Sequence, residues 1–331
     1  MEKIYIWGDE IPGNSSRLKA GDMDIRKGAR PLTSMLRMLG AIRSNEVLPK
    51  HKQAYDSYTY AGGISRGREK ATYEDEPYLV PFLSEGARKA VIIVPGGAYA
   101  YKQTDADAEG KQAEGDLAAR VLNEEGVSAF VLWYRTNPYR MPVPLLDLQR
   151  AIRFVRFHAH EYGIDPGHIG LLGFSAGGFE VLGHINLIHG KNLFPDQYHP
   201  DEVDEVSDHV SAAACGYPMV GFRSGSSMLY NCFPAEEVND PEKREQLLSD
   251  WDCAAHITSG DVPQFITYGT KDQLIDPVYT EEYIRRLKEA GGEVVLVRID
   301  GAGHGYGAAT GKMKKCGLWI TEYRKWLKLS L

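Results

Sequence analysis

The stretch Ile169-Gly170-Leu171-Leu172-Gly173-Phe174-Ser175-Ala176-Gly177-Gly178 runs from an apolar, strand-like segment through G-x-S-x-G into sequence that reads as helix. A short strand that turns at once into a helix leaves the residue at the apex in a strained backbone conformation. Gly173 and Gly177 remove the Cβ atoms that would collide as the two elements cross. Ser175 therefore projects its hydroxyl from the tip of a tight turn, accessible to a carbonyl carbon. The helix begins just behind it, so its free N–H groups and positive dipole end face any oxyanion formed at that hydroxyl. The plainer reading is a tight strand-to-helix connection with an incidental serine, and the surrounding chain has to decide between the two.

Outward from this turn the sequence alternates. Upstream, 78–83 and 89–94 read as strands, the second buried throughout by its Ala90-Val91-Ile92-Ile93-Val94 run. A helix over about 106–125 leads to a strand at 127–133. A helix over about 144–162 follows, with Leu145, Leu148, Ile152 and Val155 at intervals of three and four and Pro144 at its start. Downstream come a helix to about 189, an acidic and aromatic insertion at 191–208 and a strand at 209–215. The weakly periodic segment 216–262 reads as excursions above the sheet. A strand at 264–268, a helix at 277–290, a strand at 293–299 and a closing helix at 312–329 complete the pattern. Strands and helices alternating at this spacing require right-handed crossovers, so the expected fold class is α/β, a mostly parallel central sheet with helices on both faces. The expected organisation is an N-terminal extension over 1–76, of unassigned role, followed by one catalytic domain over 77–331.

Composition narrows the function class. With 331 residues the chain can bury a substantial core, and its formal net charge of −7 argues against a nucleic-acid or acidic-lipid surface. The start, Met1 to Gly8, lacks a charged region followed by an apolar one, and no later segment offers ~18 uninterrupted apolar residues. A cytoplasmic location, or a leader already lost, is the expectation, with no membrane partner. The four cysteines, Cys215, Cys232, Cys253 and Cys316, are too scattered for a disulfide framework or a Cys-x-x-Cys metal site and read as reduced, buried thiols.

In an open parallel sheet, ligands bind beyond the carboxyl ends of the strands. Three loops stand there. Pro95-Gly96-Gly97-Ala98-Tyr99 can point backbone N–H groups at a ligand, and Gly97 and Ala98, with the Ala176 N–H, would stabilise a tetrahedral oxyanion. Gly269-Thr270-Lys271-Asp272-Gln273-Leu274-Ile275-Asp276-Pro277 offers two carboxylates. Asp276 precedes a proline and a helical run, which is the arrangement of an N-cap, so Asp272 is the freer acid. Asp300-Gly301-Ala302-Gly303-His304-Gly305-Tyr306-Gly307 sets one histidine amid glycines, beyond a strand and after both serine and acid. The chain order is Ser, Asp, His. Of the ten histidines, His158 and His160 diverge on their helix and His184 and His189 lack a third ligand, so no metal site is expected.

On these residues the chain resembles the α/β-hydrolases of the esterase/lipase superfamily from about Pro77 to Trp326. Its Pro-Gly-Gly-Ala-Tyr loop, Trp133-Tyr134-Arg135, the helix holding Asp147 and Arg150, and the Ser175 and His304 motifs are most similar to the acetyl-xylan-esterase-like carbohydrate deacetylases. Related carboxylesterases and the arylformamidases share these motifs. The chain departs from the pattern by Ala98 in place of a third glycine. The resemblance implies an acyl-enzyme mechanism with Ser175 as nucleophile, His304 as base and Asp272 orienting it, without metal or organic cofactor. It implies a small-molecule or oligosaccharide ester as substrate, with Tyr99, Tyr101 and the aromatics between 217 and 251 offered as sugar contacts against the alternative of core packing. Arylformamidase, general short-chain carboxylesterase, serine peptidase and non-catalytic binding relative are the rival readings, and a homo-oligomer is compatible with the sequence.

Overall fold

The computed structural model describes residues 2–13, 76–99, 114–136, 139–225, 228–258, 260–309 and 311–331. Its strands are β1 (Ile4–Tyr5), β2 (Tyr78–Phe82), β3 (Ala90–Val94), β4 (Ser128–Trp133), β5 (Ile169–Phe174), β6 (Ala212–Gly216), β7 (Gln264–Gly269) and β8 (Val294–Ile299). They form one sheet in the order β1-β2-β4-β3-β5-β6-β7-β8. The first two joins are antiparallel and the rest parallel. Burial follows position in the sheet. β3, β5, β6 and β7 are buried along their whole length, the first three as continuous runs without polar side chains and β7 with Gln264 and Thr267 among its apolar residues, whereas edge strand β8 exposes Val295 and Arg298.

The long helices are α1 (Asp116–Asn123), α2 (Val143–Phe157), α3 (Ala176–Gly183), α6 (Pro241–Asp250), α7 (Pro277–Glu289) and α8 (Leu318–Ser330), with short turns α4 (Leu229–Cys232) and α5 (Ala235–Asn239) between α3 and α6. One apolar core packs Leu148, Ile152 and Phe179 against Ile92, Phe130 and Leu171. A second, on the opposite face, packs Trp319 and Tyr323 against Val91, Leu172, Phe174 and Phe265. Every strand read from the sequence is present within a few residues, and the helix read at 144–162 ends earlier, at Phe157. All four cysteines are free and buried. Among the described residues, no helix is long and apolar enough to cross a membrane.

Residues 2–13, the described part of the expected N-terminal extension, join the sheet and pack on α2. Ile4 and Tyr5 pair with Leu79 and Tyr78 as the edge of the sheet. The segment beyond them lies along α2: Trp7 Nε1 donates to Asp147 at 2.9 Å, Arg150 Nε donates to the Ile6 carbonyl at 2.7 Å, and Arg135 Nη1 donates to the Pro12 carbonyl at 2.7 Å. Asp147 is fully buried, and Arg135 answers it through Nη2 at 2.6 Å and its own backbone N–H at 2.8 Å. The start of the chain is thus part of the same folded unit as the sheet. The remainder of 1–76, from residue 14 to 75, lies outside the described residues.

Candidate active site

β5 passes directly into α3, and Ser175 at the junction has φ 54° and ψ −118°. A Cβ on Gly173 would overlap the Gly177 carbonyl, and one on Gly177 would overlap the Val94 carbonyl. The crossing of strand, helix and the end of β3 leaves no room for side chains there. The Ser175 N–H donates to the Gly216 carbonyl at 3.0 Å and its carbonyl accepts from Met219 N–H at 3.1 Å, so the end of β6 and the loop after it hold the turn open.

Ser175 Oγ lies 2.8 Å from His304 Nε2, and His304 Nδ1 lies 2.7 Å from Asp272 Oδ2. Asp272 Oδ1 accepts from the Leu274 and Ile275 N–H groups at 2.9 and 3.0 Å. One carboxylate oxygen is thereby anchored to backbone and the other is left for the imidazole. The acid turn and the histidine loop are stitched together, because Gly269 lets the Ala302 carbonyl close in and Lys271 N–H donates to that carbonyl at 2.9 Å. The Asp272 side chain is 1% exposed and that of His304 17%. Asp276 instead caps α7, accepting from Val278 N–H at 3.0 Å.

The loop after β3 lies against this turn: a Cβ on Gly96 would come within 2.8 Å of Ser175 Cβ. Gly97, Ala98 and Tyr99 have φ of 131°, 56° and 59°, all on the side of the map that favours glycine. Side chains from elsewhere hold the loop there. Tyr134 Oη donates to the Pro95 carbonyl at 2.8 Å and Asn231 Nδ2 to the Ala98 carbonyl at 2.7 Å. Among the described residues no carbonyl or side chain accepts from the N–H groups of Gly97, Ala98 or Ala176. Ala98 supports this geometry without being a third glycine.

Two further residues complete the site: Glu114, absent from the sequence reading, and Tyr217, offered there only as a sugar contact or a core residue. Glu114, buried, accepts from Gly96 N–H at 2.7 Å and from Tyr217 Oη at 2.6 Å. Burial raises its carboxyl above the usual range, opposed by the bonds from Tyr217 and Gly96 and by nearby His304. Tyr217, at φ 40°, also accepts from Gly307 N–H at 2.9 Å and sets its ring edge-on to His304, centroids 4.8 Å apart. Tyr217 stands directly after β6, where the rule about strand ends could have singled it out. Glu114 is concealed in sequence by the helix expected over about 106–125; residues 106–113 lie outside the described residues, and the described helix α1 starts at Asp116, two residues beyond Glu114.

Tyr99 is a correction. Its side chain is 1% exposed, with Oη bonded to Glu180 at 2.6 Å and to the Ala176 carbonyl at 3.2 Å, so it offers no face to a sugar. Tyr217, Phe222, Tyr230 and Phe233 are likewise buried in core packing, which leaves Trp251, half-buried, as the exception in that segment. Tyr101 lies outside the described residues.

Comparison with known proteins agrees with this fold. The BD-FAE family model matches residues 78–287. The acetylxylan esterase of Xylanibacter ruminicola is 27% identical over 256 residues, 76% of this chain and 48% of that protein. The endo-1,4-beta-xylanase B of Butyrivibrio fibrisolvens is 35% identical over 157 residues, 46% of this chain and 23% of that protein. The chain therefore spans about half the length of the first of these relatives and less of the second. Among solved structures, the acetyl ester-xyloside bifunctional hydrolase of Caldicellulosiruptor lactoaceticus superposes with a TM-score of 0.62 at 29% identity, covering 77% of this chain and 88% of that one. With the strand order, the serine turn and a family model that spans more than half of its length in agreement, the chain has an α/β-hydrolase fold and belongs to the BD-FAE family.

Proposed function

We propose that the chain is a serine carboxylic-ester hydrolase that removes acetyl groups from O-acetylated carbohydrates. The observation that carries the reading is the unbroken line from Ser175 Oγ through the two nitrogens of His304 to Asp272, at 2.8 and 2.7 Å. Neutral serine is a poor nucleophile, so His304 Nε2 takes the hydroxyl proton as Oγ attacks the ester carbonyl. The tetrahedral oxyanion draws on the N–H groups of Ala176, Gly97 and Ala98. As it collapses, the imidazolium returns the proton to the leaving sugar hydroxyl. Water then attacks the acetyl-serine with His304 again as base, releasing acetate and free Ser175. Asp272 holds the proton on Nδ1 throughout and stabilises the transient cation.

The carbohydrate part of the proposal is supported by the names of the relatives, an acetylxylan esterase and an acetyl ester-xyloside hydrolase. Acetate release from acetylated xylo-, manno- and pectic oligosaccharides, measured beside short p-nitrophenyl esters and an N-formyl arylamine, tests it. Acetylated sugars turned over faster than octanoyl esters and the formamide are the expected result. Faster hydrolysis of the formamide would reassign the chain to the arylformamidase type, and faster octanoyl hydrolysis would remove the deacetylase reading. A fluorophosphonate probe is expected to label Ser175, and Ser175→Ala to lose about 10⁶ in kcat. Turnover near wild type by that variant would remove the nucleophile.

A further inference from the structure

Glu180 lies on α3, one turn beyond the serine, and is fully buried. Its Oε1 is 2.6 Å from Tyr99 Oη, and its Oε2 has no hydrogen-bond partner among the described residues. The groups facing it are Tyr99 from the loop after β3, Tyr134 from the end of β4, Cys232 from α4, Cys253 from the turn after α6 and Asp147 from α2. Asp147 is already paired with Arg135, and among the described residues no cation pairs with Glu180 to balance a charge on it. An uncompensated buried carboxylate is among the most expensive groups a core can hold, and such a group takes up a proton instead. Burial pushes the Glu180 carboxyl up to about 8, against the bond from Tyr99 and with the help of Asp147.

Proton counting makes the consequence specific. Tyr99 Oη has one hydrogen and two neighbours, Glu180 Oε1 at 2.6 Å and the Ala176 carbonyl at 3.2 Å. If Glu180 were ionised, Tyr99 would have to give its hydrogen to one of them. With a carboxylic acid both bonds form: Glu180 donates to Tyr99 Oη, and Tyr99 donates to Ala176. Tyr99 is the residue after Ala98, and Ala176 is the residue after Ser175. The hydrogen-bond chain therefore joins the two backbone segments that offer N–H groups to an oxyanion.

We propose that Glu180 is a positioning residue whose carboxylic acid, acting through Tyr99, sets the spacing between the two halves of the oxyanion hole. The proposal rests on the esterase reading above and adds to it. The segment from Gly97 to Tyr99 holds φ values that non-glycine residues avoid, and such strain persists only where surrounding contacts over-determine it. Tyr134 and Asn231 hold the loop through Pro95 and Ala98, whereas Tyr99 ties it to the helix that carries the nucleophile. Donors that must meet an oxyanion at hydrogen-bond distance act in the transition state, so a loosened tether lowers kcat more than it raises KM.

The test uses the full chain with p-nitrophenyl acetate, comparing wild type, Glu180→Gln, Glu180→Leu and Tyr99→Phe. Glutamine keeps a donor to Tyr99 and cannot ionise. It is expected to stay within about threefold of wild-type kcat near neutrality and to lack the fall in rate expected of wild type as pH rises through about 8. Glu180→Leu and Tyr99→Phe are each expected to lose about 10- to 100-fold in kcat with little change in KM, and the double variant no more than either alone. A Glu180→Gln enzyme that keeps the wild-type alkaline limb, or a folded Glu180→Leu enzyme with full kcat, overturns the proposal. A second readout is independent of substrate. A carboxyl raised in the folded state favours folding below its unfolded value and loses that contribution as pH rises toward the folded one. The melting temperature of Glu180→Gln should therefore gain on wild type between pH 5 and pH 8, a window set by the about 8 of Glu180. A constant difference across that range refutes a protonated Glu180 even if the chain proves to hydrolyse no ester, while failure of Ser175 labelling refutes the esterase reading alone.

Discussion

Asp272 and Asp276 share one loop, yet their carboxylates do different work. Asp272 turns Oδ2 to His304 at 2.7 Å while Oδ1 holds two backbone N–H groups; Asp276 spends its oxygen on the first turn of α7. In Asp272→Asn the carbonyl oxygen can keep the backbone bonds, which leaves the amide NH₂ facing His304 Nδ1. That forces the ring hydrogen onto Nε2, where it donates to Ser175 instead of accepting from it. A loss of up to about 10⁴ in kcat is expected, the size found when a triad aspartate is changed in this way in a protease. Asp276→Asn should leave the rate within about twofold, because asparagine caps helices as well as aspartate does. Steady-state kinetics on both, with circular dichroism to confirm folding, checks the assignment, and the opposite pattern reverses it. Ser175, Asp272 and His304 stand out in the sequence because each lies in the turn or loop that follows a strand and carries distinctive chemistry. Tyr99 misleads for a physical reason: its position in a glycine-rich loop suggests an exposed ring, whereas the partner that buries it, Glu180, is remote in sequence and lies on the helix after the serine.

At the scale of elements, the sequence pattern is legible wherever an apolar period has length to develop. β3 and β5 are five and six residues without a polar side chain, and β7 keeps Phe265, Ile266 and Tyr268 between its buried Gln264 and Thr267. β1 is two residues long, too short to show any period, and it is recognisable only through its register with β2. The segment after it is held by polar groups of α2, a helix whose apolar spacing is plain in the sequence but whose buried Asp147, Arg150 and Arg153 are not. Arg150 carries a further duty, reaching Asp201 at 2.7 Å and Asp204 at 2.8 Å in the insertion between α3 and β6 while stacking its guanidinium over Trp7. Trp7 is thus the pivot of the chain start, 7% exposed and bonded to Asp147. Trp7→Ala is expected to lower stability by about 3–5 kcal/mol, as truncation of a buried tryptophan does. Urea denaturation measures this, and a change below about 1 kcal/mol, the ordinary size of a surface substitution or less, would mean that the segment is not docked.

On the scale of the molecule, the carboxyl ends of β3, β5, β6, β7 and the loop after β8 converge on one patch of backbone. Ser175, Tyr217, Ala98 and Tyr99, four of the non-glycine residues with positive φ, all lie there. Among the described residues, no non-glycine residue inside a strand has a positive φ. Non-glycine residues at positive φ each cost on the order of 1–3 kcal/mol. It follows that the fold and the chemistry compete for the same position. Glycine tolerates the backbone angles at 175 that serine does not, so Ser175→Gly should melt higher than wild type, by an amount that a thermal scan beside Ser175→Ala can resolve. A lower melting temperature for the glycine variant would show that the turn is unstrained. If the expectation holds, selection for a tougher molecule alone would favour losing the proposed nucleophile. A serine at that apex would then be the mark of a lineage kept under demand for its reaction.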